Sequence, residues 1–284
     1  AISSDVFATA VNQVAIAAGK DDSLPTLTGI HVDIDKETIT LAATDRYRLA
    51  VREIQWNPNN PEIATSALLR ARTLADAAKT VAGTKDVTLA IAPSTSHDRL
   101  VGFAAQTKTM TSRMLDGTFP PYRHLLPTES IANATIEVSA FLDSVRRVAL
   151  VTDKTVPLRL RFSGSSLHLE AGTGEEAQAN EELAIDYIGD AIEIAFNPTF
   201  LMDGLHAVNT PFVNIAFIGQ NGQAIIQSDA NFGLQSNDNN DQLVNLGFDN
   251  IVFVDSISLI GKSNNTNFGN NINFGNVIFQ SPIS

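Results

Sequence analysis

In the run "LAATDRYRLAV" (Leu41–Val51), Asp45, Arg46, Tyr47 and Arg48 stand side by side among strand-forming residues. One carboxylate, two guanidinium groups and a phenol at this spacing suit three chemistries. They are a catalytic acid–base cluster, an ion pair closing a hairpin, and the rim of a binding pocket. Catalysis has little else behind it. The histidines His31, His97, His124, His168 and His206 are scattered, and none has a second ligand at metal spacing. The chain has no P-loop, no dinucleotide-binding glycine fingerprint and no Gly-x-Ser-x-Gly elbow. Carboxylate pairs such as Glu175 and Glu176 read as solvated edges. The sequence therefore assigns no catalytic residue, no metal ligand and no cofactor, and the chain is not read as an enzyme.

The elements that position the Asp45–Arg48 cluster follow from periodicity. The chain has 284 residues, 44% of them hydrophobic, enough for more than one domain with a sizeable core. No apolar run reaches membrane-spanning length, and "AISSDVFATAV" lacks the pattern of a signal peptide. The absence of cysteine excludes a disulfide framework and fits a cytoplasmic protein. A net charge of −12 argues against a chain coated in nucleic acid but leaves room for a local basic face.

Four segments share one apolar rhythm at i, i+4 and i+7: Phe7, Val11, Val14; Leu74, Ala78, Val81; Phe141, Val145, Val148; Leu201, Leu205, Val208. Each is the stripe of an amphipathic helix. Asp5, Ser139 and Asn197 are read as caps, the last followed by Pro198. Strand-like runs fill the intervals, among them "TGIHVDI", "TITLAAT", "DVTLAIA", "LRLRFSG", "SLHLEAG" and "FVNIAFI". The order recurs: Phe7 leads Phe141 by 134 residues and Leu74 leads Leu201 by 127. The chain thus reads as a duplicated helix-plus-sheet unit, each copy with an internal half-repeat. Copies over 1–129 and 130–228 are followed by an Asn-rich tail over 229–284, in which "NIVFVDSISLI" is β-prone.

The runs "LPTLTGIHVDI", "ATDRYRLAVREI", "MLDGTFPPYRHLLP", "EAGTGEEAQANEEL" and "FNPTFLMDGL" together resemble the bacterial sliding clamp, the beta subunit of DNA polymerase III. The resemblance extends from about Ser3 to about Ser228 and covers the family's second and third domains. It implies an α+β fold of two tandem clamp-type domains, each with helices on one face of antiparallel sheets, plus a tail with a β-forming segment. It also implies a processivity factor that encircles duplex DNA without reading sequence. Polymerase, clamp loader and repair proteins would dock by short linear peptides. Family subunits pair into a ring through a domain outside this resemblance, so this chain alone is not expected to close one. A second reading is a truncated or fused clamp, acting as a peptide-binding scaffold that does not encircle DNA.

Carried over by position, the peptide pocket comprises Leu27, Thr44, Arg46, Tyr47, Arg48, Leu49, Pro120, His124, Leu125, Val156, Asn197 and Phe200. Arg46 and Tyr47 would form its rim, with Asp45 fixing the local turn. Lys20 at the end of the first helix, Arg70 and Arg72 opening the second, and Arg146 and Arg147 on the third would face DNA phosphates. The tail is expected to pair in part with the sheet of the second copy, whose last strand is missing from the repeat.

Overall fold

A computed structural model of the chain describes residues 1–92, 99–123, 126, 130–151, 156–172, 178–218, 223–229 and 251–256. Contacts divide it into two units, one of Ala1–Phe119 with Ala230–Phe253 and the other of Pro120–Asp229 with Val254–Ser284.

The first unit begins with β1 (Ile2–Ser3), α1 (Ser4–Ala15), β2 (Gly29–Asp35), β3 (Thr38–Thr44) and β4 (Arg48–Gln55). The same β-α-β-β-β series follows as β5 (Ala64–Arg70), α2 (Ala71–Val81), β6 (Asp86–Ile91), β7 (Leu100–Ala105) and β8 (Lys108–Arg113). Each series lends its first strand to the other. The sheets run β1-β6-β7-β8 and β5-β2-β3-β4, with antiparallel neighbours throughout. Because α1 leaves one sheet and delivers the chain to the other, its apolar stripe is enclosed. Phe7, Val11 and Val14 are buried, as are Leu74, Ala78 and Val81 of α2, and Phe7 meets Phe103 of β7 with ring centroids 5.9 Å apart.

The second unit repeats the plan. It contains β9 (Ala132–Glu137), α3 (Val138–Val148), β10 (Leu158–Ser163), β11 (Ser166–Ala171), β12 (Ala179–Ala184) and a short β13 (Asp186–Ile188). Then come β14 (Ile192–Phe196), α4 (Pro198–Ala207), β15 (Phe212–Ile218) and β16 (Gln223–Asp229). One sheet is ordered β12-β11-β10-β14; the other includes β13-β9-β15-β16. In the tail, a further strand, β17, spans Ile251–Ser256. The core centres on aromatic packing: Phe162 of β10 meets Phe217 of β15 edge-on at 4.8 Å. Burying such a ring contributes about 2–3 kcal/mol. The protein is thus α+β, with two copies of one helix-and-antiparallel-sheet unit. No helix among the described residues is long and apolar enough to cross a membrane.

Helix starts differ from the sequence reading. Every helix springs directly from a strand or its end, so the N-cap residue keeps an extended backbone, with ψ between 120° and 128° at Ser3, Arg70, Glu137 and Asn197. Asp5 and Ser139 therefore lie inside the first turns, and Ser139 Oγ donates to Glu137 Oε1 at 2.6 Å. Asn197 does cap α4, with Pro198 after it. Val208 lies just past α4 on an extended backbone, although still buried.

Candidate functional site

The Asp45–Arg48 cluster forms the corner between β3 and β4. Thr44, the last residue of β3, donates from Oγ1 to the Arg48 carbonyl at 2.7 Å and accepts from the Arg46 amide at 3.2 Å. Asp45 Oδ1 accepts the amides of Tyr47 and Arg48, both at 3.1 Å, while Oδ2 accepts from Arg48 Nε at 3.0 Å. One carboxylate therefore satisfies two backbone donors and a guanidinium, an Asx turn reinforced by an ion pair. This divides the four residues into two kinds. Arg48, 5% exposed, is locked to Asp45, whereas Tyr47, 44% exposed, and the exposed Arg46 stand out from the corner. Arg46 also holds a left-handed backbone with φ +82°. Such a position favours glycine, so a side chain there carries a backbone cost.

Leu27 and Leu49 are buried within the same unit, Leu27 in a 3-10 turn over Pro25–Thr28. The turn is closed by the Gly19 amide donating to the Leu27 carbonyl at 2.7 Å. Before it, Asp21 Oδ1 accepts the Ser23 amide at 2.9 Å. Hydrogen bonds from Ser23 hold the Asp21 carboxyl below the usual range, and the charge of Arg46 adds to the effect. The run ending this unit is tied to the same region. Leu115 donates its amide to the Leu68 carbonyl at 2.7 Å, and Phe119 stacks on His31 at 5.3 Å. Gly117 has φ +110°, and a Cβ there would lie 2.5 Å from Thr26 Cγ2, so the run requires glycine at that point.

In the second unit, Asn197 Oδ1 accepts the amides of Thr199 at 2.9 Å and Phe200 at 3.3 Å. The carbonyl oxygen of this side chain is thereby committed to starting α4, and it fixes Phe200, half-buried, on the first turn. The register pairing Leu158 with Phe196 carries Val156, also half-buried, toward the start of the same helix. Pro120 is half-buried, while His124 and Leu125 lie outside the described residues. Thus Thr44, Arg46, Tyr47, Arg48 and Leu49 come together in one unit, and Val156, Asn197 and Phe200 in the other.

The five candidate phosphate-facing cations are all exposed, but their settings differ. Lys20 is not on a helix, since α1 ends at Ala15. Arg70 is the last residue of β5, with Nη1 2.8 Å from Asp22 Oδ1. Arg72 sits in the first turn of α2. On α3, Arg146 places Nη1 3.2 Å from Asp143 Oδ1 and Nη2 2.8 Å from His206 Nε2. Because His206 Nδ1 faces the Met202 carbonyl at 2.7 Å, both contacts are satisfied only when Nδ1 carries the proton and Nε2 accepts. Arg147 grips Glu181 of β12 with a fork, Nε to Oε1 at 2.5 Å and Nη2 to Oε2 at 2.7 Å, and Nη2 also reaches Ser144 Oγ at 3.1 Å. The Arg147 hydrogen bonds hold the Glu181 carboxyl below its ordinary range, helped by Ser144 and opposed by desolvation; the same bonds raise Arg147.

Sequence reasoning missed these acidic partners. The Asp143–Arg146 spacing of three and the Met202–His206 spacing of four were signals on helices, but Glu181 lies 34 residues from Arg147. Over the outward face of β10–β12 and β14, a shallow cleft of about 490 Å³ includes Arg161, His168, Glu182 and Glu193 in its lining. Across its strands Arg161 pairs with Glu193 at 3.4 Å, and the His168 ring lies 3.7 Å from Glu182, as on a solvated sheet face.

The profile of the DNA polymerase III beta subunit, central domain, matches residues 1–121, and that of the C-terminal domain matches residues 123–238. The beta sliding clamp of Streptomyces coelicolor is 46% identical over 222 residues, covering 78% of this chain and 59% of that relative. The chain therefore spans about three fifths of that relative's length. Among solved structures, the DNA polymerase sliding clamp from Bacillus subtilis matches with a TM-score of 0.77 at 20% identity, over 91% of this chain and 63% of that one. A sliding clamp from Pseudomonas aeruginosa bound to griselimycin matches with a TM-score of 0.76 at 20% identity, over 91% and 64%. These structural likenesses show the same fold.

Proposed function

The chain belongs to the DNA polymerase III beta-subunit family, and from that footing we propose that it works in DNA replication as a sliding-clamp component. In this role it catalyses nothing. It contacts duplex DNA through charge alone, in the cytoplasm, and tethers polymerase, clamp loader and repair proteins by short linear peptides. The residues proposed for the peptide are Leu27, Thr44, Arg46, Tyr47, Arg48 and Leu49 of the first unit, with Pro120, His124, Leu125, Val156, Asn197 and Phe200 of the second. Lys20, Arg70, Arg72, Arg146 and Arg147 are proposed for the DNA.

The observation that carries this reading is the division of labour in the β3–β4 corner. Asp45 accepts the Tyr47 and Arg48 amides and pairs with Arg48 Nε, while Arg46 and Tyr47 are exposed on the turn so formed. An aromatic and an arginine fixed this way make a rim for a peptide whose Leu and Phe side chains supply most of the affinity. A labelled peptide with those anchors should bind the chain with a Kd on the order of micromolar. Tyr47→Ala combined with Phe200→Ala should weaken it at least about tenfold, a loss of ~1.4 kcal/mol, without unfolding the protein. Unaltered affinity in the folded double variant would remove the assignment.

A further inference from the structure

The two adjacent arginines of α3 reach solvent already neutralised. Glu181 meets the Nε–Nη2 edge of Arg147 with both carboxylate oxygens, and Ser144 supports the same guanidinium. Asp143 and His206 hold the two terminal nitrogens of Arg146. A phosphate diester approaching the Nε–Nη2 edge of Arg147 or the terminal nitrogens of Arg146 meets groups already bonded, because carboxylate and phosphate present the same pair of acceptor oxygens to the arginine fork. Binding energy at such a position is a difference: the phosphate contact forms only as the internal contact opens. The carboxylate also acts as a resident counterion, so fewer salt ions are released when DNA arrives.

We propose that Glu181 and Asp143 are built-in competitors for DNA phosphate at Arg147 and Arg146, holding duplex contact weak enough for the protein to move along DNA. This rests on the reading of α3 as a DNA-facing helix and adds the residues that set the strength of that contact. The arrangement keeps two cations positioned on the helix with part of their attraction already taken up by the carboxylates. The Arg147 fork joins α3 to β12, so Glu181 also fixes where the guanidinium sits. A purely structural pair and a competitor therefore differ in the sign of one readout. Breaking a structural pair lowers stability and leaves DNA binding equal or weaker; removing a competitor strengthens binding.

The test uses the full chain and a labelled duplex of mixed sequence, titrated by fluorescence anisotropy over a salt series, with thermal melts alongside. Glu181→Gln and Asp143→Asn keep shape and remove charge. Each should tighten duplex binding about five- to tenfold near 0.1 M salt and steepen the log–log salt slope by about 0.9, one phosphate contact. Arg147→Glu should weaken binding. If Arg147→Glu and Arg72→Glu weaken binding while both carboxylate variants keep the parent's affinity and slope, the competitor role is overturned and the DNA reading stands. If the parent chain binds no duplex, or binds it without salt dependence, the DNA reading fails and the competitor role falls with it. Glu181→Gln also melts below the parent at neutral pH, since the Arg147 fork is lost, so its binding is compared at a temperature where both proteins are folded. Asp143→Asn, whose pair lies within one helix, gives the independent reading.

Discussion

At φ +82°, Arg46 occupies a backbone conformation that glycine would hold at lower cost, in a turn that Thr44 and Asp45 already define by hydrogen bonds. Arg46→Gly should therefore raise thermal stability by up to about 1 kcal/mol while weakening the peptide, a trade visible by melting and anisotropy on one sample. A loss of stability would show that the arginine side chain has a structural duty. Glu181 gives a pH prediction. Its carboxyl is held below its ordinary value of 4.5, mainly by Arg147. A depressed carboxylate contributes stability above its unfolded pKa and loses it as pH falls through the folded value. Glu181→Gln should accordingly melt below the parent at neutral pH, with the gap closing as pH drops beneath 4.5. The outward pair was legible in the sequence as polar groups amid strand residues. The partners of Arg147 and Arg70 were not, because strand pairing and a loop bring them together from far along the chain.

Elements were read well where they bury a stripe and poorly where they begin. Spacing of i, i+4 and i+7 found the four α-helices of the described residues, though the fourth stripe overran α4 at Val208, because each helix lies against sheets that require one apolar face. Cap signals misled at α1 and α3, where a strand runs straight into the helix and neither Ser3 nor Glu137 makes a side-chain cap bond. Among the described α-helices, Asn197 alone combines the extended backbone with a side-chain cap, accepting two amides. Asn197→Ala should cost about 1 kcal/mol by chemical denaturation and shift Phe200 with the first turn of α4. Gly117→Ala should also destabilise, by about 1–3 kcal/mol, since a Cβ would strike Thr26 and the backbone is left-handed. Stability unchanged in that variant would mean that the "LDGTFPPY" run adjusts without glycine.

For the whole molecule, the repeat was legible in residue offsets, and the structure adds why two half-repeats make one unit: each lends its first strand to the other's sheet. With a net charge of −12, duplex binding has to come from a few placed cations rather than from the overall field. Arg72→Glu should then reduce affinity equally for unrelated duplex sequences. The peptide reading draws on two sets of residues that are distant in sequence. Hydrogen exchange measured with and without a peptide bearing Leu and Phe anchors tests this directly. The account predicts slowed exchange at Thr44–Leu49 and Asn197–Phe200 together, at the same peptide concentration and with one affinity. Protection confined to other segments, such as the outward face of β10–β12, would contradict it.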